Sequence, residues 1–101
     1  MFARMAWGKV KPGTWEEYEQ IYRDEILPGT RYVKGLRFRE LLRGIDDRDE
    51  GISLTIWETR EDLEAYEASG LYRGIVDRAR AYYAGDYWVK HFELRLGVDL
   101  S

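Results

Sequence analysis

One stretch of the chain, residues 51–84, joins a strand pattern to two helix patterns with almost nothing between them. Apolar and polar residues alternate from Ile52 to Trp57, which is the period of a β-strand. Thr59 follows at once and suits a helix N-cap. Apolar residues then recur every three or four positions, with a break at Ser69-Gly70, so two short helices are predicted. The stretch predicts a sheet covered by helices, with aromatic groups at the seam that form either plain core or a pocket.

The remaining segments complete a β-α-β-β-α(α)-β order. Strands are predicted over Phe2–Val10, Leu36–Arg43 and Tyr87–Leu96, and a helix runs from Thr14 to a stop at Pro28-Gly29. This is the split βαβ order of an α+β, ferredoxin-like sandwich with a four-stranded antiparallel sheet. We expect one domain over residues 1–96 and a loose tail over residues 97–101.

Both faces of most predicted strands carry large apolar side chains. In the first strand, Met5 and Trp7 oppose Phe2 and Val10. A monomer would expose one of these sets as an apolar patch of the size that marks an interface. We therefore predict a homodimer in which the bare sheet faces close against each other.

Composition and charge exclude several classes of function. The formal net charge is −3 and the basic residues form no block, so nucleic acid is not expected as a partner. The chain has no cysteine and one histidine, which excludes thiol catalysis and a typical zinc or iron site. We predict no haem, flavin or structural metal. The first residues lack the apolar run of a signal peptide or membrane span, so a cytoplasmic protein without a membrane partner is expected.

Three motifs resemble the antibiotic biosynthesis monooxygenase family. They are Lys11-Pro12-Gly13 before the first helix, the strand end from Leu54 to Thr59, and the helix sequence EDLEAYEAS over residues 61–69. The resemblance extends from Phe2 to about Leu94. It implies ferredoxin-like halves that dimerise into an α+β barrel. The family contains cofactor-independent quinone-forming oxygenases, haem-degrading oxygenases and many small domains of unknown purpose.

The subfamilies differ in their functional residues. Haem-degrading members use an Asn, a Trp and an iron-binding His, and those places fall near Ala6, Tyr66 and Val76 here, so the resemblance disfavours haem degradation. Quinone-forming members place an Asn and a Trp four residues apart on the third strand. Trp57 matches this Trp, Ser53 stands in place of the Asn, and the family's helical Arg has only a near counterpart, Arg78. The resemblance implies a phenolic, quinol or polycyclic aromatic substrate whose anion reduces dioxygen.

Trp57 and His91 are the predicted catalytic residues. Trp57 is expected to line the space between the sheet and the helices, and the alternative is a core Trp. His91 is the candidate base because an unperturbed histidine has its pKa near neutrality, and the alternative is a partly exposed strand residue beside Glu93. The predicted substrate-binding residues are Ala6, Ser53, Thr55, Tyr66 and Tyr72. Patterning alone leaves open which face of the third strand meets the helices.

Two functions remain open on the sequence. The first is a cofactor-free monooxygenase, which needs a polar group facing a cavity that excludes bulk water. The alternative is a non-catalytic ligand-binding or structural dimer; in a purely structural dimer, Tyr66, Tyr72 and Trp57 fill that space. A discriminating observation is therefore whether a cavity exists and which side chains line it.

Charged side chains on the strands add a conditional expectation. Arg4, Arg37 and Arg39 lie on predicted strands, and any of them that is buried needs an acidic partner or an anionic ligand. The acidic residues between Asp46 and Glu50 lack the ligand spacing of a calcium-binding EF-hand loop, so a solvated turn is predicted there.

Overall fold

A computed structural model describes residues 1–100 of the chain. The strands are β1 (Phe2–Val10), β2 (Leu36–Arg43), β3 (Glu50–Trp57) and β4 (Tyr83–Glu93). The helices are α1 (Trp15–Ile21), α2 (Leu27–Thr30), α3 (Arg60–Glu67) and α4 (Gly70–Arg80), and a π-helical turn, Tyr22–Ile26, joins α1 to α2. The predicted α+β, ferredoxin-like fold is confirmed.

The four strands form one antiparallel sheet in the order β2-β3-β1-β4. The register places Arg39, Thr55, Arg4 and His91 side by side in a single row across the sheet. Arg4 and Thr55 are both buried, so this row belongs to the face that the helices cover. The helix-facing side of the sheet therefore carries charged and hydroxyl groups as well as apolar ones.

The opposite face of the sheet, called here the bare face, carries several large apolar side chains. Trp7 lies between Ile52 of β3 and Trp88 of β4, and the two tryptophan rings stack with centroids 6.0 Å apart. Phe38 of β2 lies beside Ile56, two rows further along the same face, and is 47% exposed. These residues form an apolar surface on the side of the sheet away from the helices.

The core lies between the sheet and the helices, and two side-chain caps fix the helices above it. The Thr59 hydroxyl accepts the Asp62 backbone N–H at 3.1 Å, and the Ser69 hydroxyl accepts the Tyr72 backbone N–H at 3.1 Å. Each cap of this type stabilises a helix by about 1 kcal/mol. The predicted start at Thr59 is confirmed. The buried cluster consists of Val10, Trp15, Tyr18, Tyr22, Ile26, Trp57, Leu63, Tyr66, Ile75 and Ala79.

The first helical region differs from the prediction at both ends. The Thr14 hydroxyl donates to the Lys11 carbonyl at 2.7 Å and makes no side-chain cap. The helix also continues past Pro28 to Thr30. The π-helical turn ends just before Pro28, so this proline falls in the first turn of α2, where a missing N–H breaks no helical hydrogen bond.

Both edge strands contain a register shift that the sequence pattern did not predict. In β2 the shift falls between Leu36 and Phe38, so Leu36 packs against the core while Phe38 lies on the bare face. The last strand begins at Tyr83 rather than at the predicted Tyr87. A bulge around Gly85, whose φ is +97°, lets the strand pass through the predicted turn.

The end of the chain carries no regular structure as far as it is described. Residues 94–100 form neither helix nor strand. Ser101, the last residue of the predicted tail, lies outside the described residues. Within residues 1–100, none of the helices is both long enough and apolar enough to cross a membrane.

Candidate active site

A cavity of about 390 Å³ lies between the sheet and the helices. This volume falls within the roughly 300–1,000 Å³ typical of small-molecule sites. Six tyrosines contribute to its wall. Arg80 and Tyr87 are exposed lining residues and mark its outer rim. The cavity therefore offers a largely aromatic surface of a size suited to a flat ring system.

Small side chains on the sheet leave the space open. Ala6 of β1 lies beside Ser53 of β3 and Val89 of β4 in the register, and all three line the cavity. Larger side chains come from the other side, where the π-helical turn contributes Tyr22 and Ile26. The wider π-helical turn is a local feature that is frequent at functional sites.

Arg39 of β2 forms the centre of a hydroxyl cluster in the cavity wall. Its Nη1 donates to Tyr22 Oη at 3.2 Å and to Ser53 Oγ at 3.3 Å, and its Nη2 donates to Tyr66 Oη at 3.1 Å. Tyr22 Oη and Ser53 Oγ are 2.9 Å apart and share a further hydrogen bond. The guanidinium lies 5.8 and 5.9 Å from the ring centroids of Tyr22 and Tyr66. Its Nε is buried and has no hydrogen-bond partner in residues 1–100.

A second polar chain links the cavity to the outer edge of the sheet. Arg4 Nη2 donates to Tyr72 Oη at 2.7 Å, and Arg4 Nε donates to Glu67 Oε2 at 2.7 Å. His91 Nε2 lies 2.9 Å from the same Glu67 oxygen. Burial raises the pKa of Glu67, but the hydrogen bonds from Arg4 and His91 outweigh it, so the net pKa lies below its usual value. Buried Arg4 thus has the acidic partner that its burial requires.

Burial favours the protonated form of three tyrosines in the cavity wall. Burial raises the pKa of Tyr66, with Arg39 opposing it in part, and burial also raises the pKa of Tyr83 and of Tyr18. These three phenols therefore stay protonated at neutral pH. Each can donate a hydrogen bond to an oxygen of a ligand, and none is suited to act as a base. Within residues 1–100, no group of three or more histidine, cysteine, aspartate or glutamate side chains is placed to hold a metal ion.

The predicted site residues fall into two groups in the structure. The residues that line the cavity are Ala6, Ser53, Tyr66 and Tyr72. Trp57 is 0% exposed and its Nε1 donates to Thr55 Oγ1 at 2.9 Å, so both side chains lie in the core behind the wall. The Trp57 ring packs against Tyr66 with centroids 5.0 Å apart. His91 is an exposed residue of β4 that contacts Glu67 and does not itself line the cavity.

Arg39 is the main residue of the cavity that the sequence analysis did not assign to the site. It is one of three arginines on β2, and the sequence by itself does not distinguish it from the other two. The face on which it lies depends on the register shift between Leu36 and Phe38, which the alternation of side chains does not reveal. Tyr22 is likewise a cavity residue that the sequence pattern did not assign to the site.

Solved structures share the fold over nearly the whole chain. An antibiotic biosynthesis monooxygenase has a TM-score of 0.80 at 20% identity and covers 95% of this chain and 100% of its own. Rv0793 from Mycobacterium tuberculosis has a TM-score of 0.80 at 16% identity, covering 97% and 98%. A variant of SnoaB, a cofactor-independent oxygenase from Streptomyces nogalater, has a TM-score of 0.82 at 14% identity, covering 96% and 95%. At these identities the likeness shows the fold alone.

Comparison at the level of sequence families is more specific. No curated protein matches the chain significantly. The family model described as antibiotic biosynthesis monooxygenase matches residues 1–78, well over half of the 101 residues. The predicted resemblance is confirmed, and the chain belongs to the antibiotic biosynthesis monooxygenase family.

Proposed function

We propose that this protein is a monooxygenase that oxidises a phenolic, quinol or polycyclic aromatic molecule with dioxygen and without a bound cofactor. The observation that carries the proposal is the aromatic cavity of about 390 Å³, whose polar side-chain groups are tyrosine and serine hydroxyls and guanidinium groups. Aromatic walls suit a flat ring through stacked and edge contacts, and the donors suit its oxygen substituents. A purely structural dimer would fill this space with Tyr66 and Tyr72. Here both residues form its wall, which supports the proposal.

The proposed reaction begins with a phenol whose oxygen binds at Arg39 and Tyr66. The positive guanidinium lowers the pKa of a bound phenol, because an opposite charge nearby favours the ionised form. The electron-rich phenolate reduces dioxygen. One oxygen atom bonds to the ring carbon para to the phenol oxygen and becomes the second quinone carbonyl, and the other leaves as water with two hydrogens of the substrate. The phenol supplies all four electrons, and the preorganised donors stabilise the negative charge throughout.

Trp57 and His91 are proposed to act on the site through their neighbours. Trp57 fixes the ring of Tyr66, against which it packs in the core. His91 holds Glu67, and Glu67 in turn fixes Arg4 at the cavity wall. In this proposal both are positioning residues, and the phenol proton leaves to water with the help of the cavity's positive charge.

Oxygen consumption tests the proposed activity. We expect the protein to accelerate oxygen uptake with 1-naphthol or anthrone, and oxygen-18 gas to label one quinone oxygen. Tyr66→Phe should lower the rate about 10- to 100-fold, since a hydrogen bond to a charged group contributes roughly 1.5–3 kcal/mol. Tyr32→Phe, at an 88% exposed residue away from the cavity, is the matched control and should leave the rate unchanged. Uptake no faster than in buffer for both 1-naphthol and anthrone contradicts the proposal.

A cytoplasmic homodimer that buries the bare face is proposed as the working form. Leu42, Ile52, Trp7 and Trp88 lie side by side across all four strands and form a continuous apolar row. Phe92 lies at the other end of the row that contains Phe38 and is 46% exposed. Closing two such faces suits an obligate interface, which buries roughly 2,000 Å² or more.

A further inference from the structure

The charged groups that line the cavity are all of one sign. Arg4, Arg39 and Arg80 contribute to its wall, and within residues 1–100 the lining contains no aspartate, glutamate, lysine or histidine. The chain as a whole carries a formal charge of −3. A positive cavity is therefore a local feature of this site and does not follow from the overall charge.

Two of these arginines are neutralised by carboxylates outside the cavity, and the third is not. Arg4 pairs with Glu67 at 2.7 Å, and Arg80 lies 4.0 Å from Asp77. For Arg39, no carboxylate of residues 1–100 lies within 4.0 Å of the guanidinium. Its hydrogen bonds go to three neutral hydroxyls, which orient the group without cancelling its charge.

The hydroxyls around Arg39 retain hydrogens for another acceptor. A hydroxyl has one hydrogen to donate and two lone pairs to accept. Tyr66 Oη accepts from Arg39 Nη2, and its own hydrogen has no acceptor among the hydrogen bonds of residues 1–100. Tyr22 and Ser53 both accept from Nη1 and share one hydrogen between them, which leaves the other free. Burial raises the pKa of Tyr66, so that its hydrogen is retained at neutral pH. The cluster is rich in donors around an unneutralised cation.

We infer that the ligand of this cavity is an aromatic anion, whose ionised carboxylate or phenolate oxygen binds Arg39, Tyr66 and the Tyr22–Ser53 pair. A half-buried guanidinium without a counter-ion is unfavourable, and a ligand anion supplies the missing charge. Hydrogen bonds to an ionised acceptor are roughly twice as strong as neutral ones, so the site discriminates between an acid and its neutral analogue. The inference rests on the proposed function only for the use of the cavity as the ligand site.

Binding of three naphthalene derivatives tests the inference by titration calorimetry at neutral pH. 1-Naphthoate and 1-naphthamide share ring and shape and differ in charge. We expect the wild-type protein to bind 1-naphthoate at least about 10-fold more tightly, the lower end of a charged hydrogen bond's contribution. 1-Naphthol separates the two sources of the anion, because binding through a phenolate strengthens as the pH approaches the pKa of the phenol. Weak 1-naphthol binding at every pH assigns the site to carboxylates.

Variants of β2 locate the effect. Arg39→Gln should weaken 1-naphthoate binding at least about 10-fold and leave 1-naphthamide nearly unchanged. Arg37→Gln is the matched control, because Arg37 lies on the same strand but is exposed and pairs with Glu58. It should retain the wild-type preference. Arg39→Lys keeps the charge and loses the fork geometry, so an intermediate preference is expected.

Each result decides the inference independently of turnover. Absent binding of both 1-naphthoate and ionised 1-naphthol overturns it, and so does equal wild-type affinity for 1-naphthoate and 1-naphthamide. An unchanged preference in a folded Arg39→Gln protein has the same meaning. Circular dichroism establishes that the variants are folded, and if Arg39→Gln is not, the wild-type preference and Arg39→Lys decide the question. A protein that selects 1-naphthoate but consumes no oxygen supports this inference and contradicts the proposed function. A protein that consumes oxygen with neutral compounds but does not select 1-naphthoate supports the proposed function and contradicts this inference.

Discussion

Replacing Trp57 with phenylalanine measures how strongly the buried wall supports the cavity. The side chain is 0% exposed, so the lost ring volume, about 40 Å³, leaves a void that costs about 1 kcal/mol at roughly 24 cal/mol per Å³. The change also removes the indole N–H that Thr55 Oγ1 accepts at 2.9 Å in a buried setting, which costs about 1 kcal/mol more. We therefore expect Trp57→Phe to lower the free energy of unfolding by about 2 kcal/mol.

A double-mutant cycle separates the hydrogen bond from the packing. Thr55→Val leaves the indole N–H buried without an acceptor, at a cost of about 1–3 kcal/mol. The double variant removes both partners, so its cost should be less than the sum of the single costs by about 1 kcal/mol. Urea unfolding followed by far-ultraviolet circular dichroism measures these values, since the mutation alters tryptophan fluorescence. All proteins are compared at one concentration, because the stability of the proposed dimer would depend on concentration.

Two results would contradict this account of Trp57. Costs that add within about 0.3 kcal/mol would mean that the hydrogen bond to Thr55 contributes nothing. The affinity for 1-naphthoate addresses the proposed positioning role, because Trp57 packs against Tyr66 and should affect the ligand through that ring. An affinity unchanged by Trp57→Phe would rule the role out, whatever the loss in stability.

Three further perturbations test other parts of the structure. The pKa of Glu67 in the folded protein lies below its usual value of 4.5. Its contribution to stability is therefore present above pH 4.5 and is lost as the pH falls through the lowered pKa. The melting temperature of Glu67→Gln should accordingly depend less on acid pH than that of the wild-type protein. Gly85→Ala should lower the free energy of unfolding in urea by about 1–2 kcal/mol, because the φ of Gly85 is +97°. Gly74→Ala in α4, where open space surrounds the glycine, should raise it by about 0.5–1 kcal/mol. Effects of the same sign in both variants would refute the bulge argument. Leu54→Arg on the bare face should shift a dimer to monomer in sedimentation, and a monomeric wild-type protein would contradict the proposed interface.

Short-range patterns were enough to predict most of the architecture. The alternation up to Trp57 and the hydroxyl of Thr59 define a strand end and a helix start within eight residues, and both act through neighbours in the chain. The apolar repeats of α3 and α4 are equally local. Such features depend on backbone geometry and on the period of side chains, so they can be read without knowing what lies across the sheet.

The composition of the cavity depended on contacts between distant parts of the chain. Arg39 reaches the cavity because β2 shifts its register between Leu36 and Phe38, and a slip of one residue moves every following side chain to the other face. Trp57 lies behind the wall rather than in it, because its indole N–H donates to Thr55 and its ring packs against Tyr66. These outcomes follow from strand pairing and packing between segments far apart in sequence, and local periodicity carries no information about either.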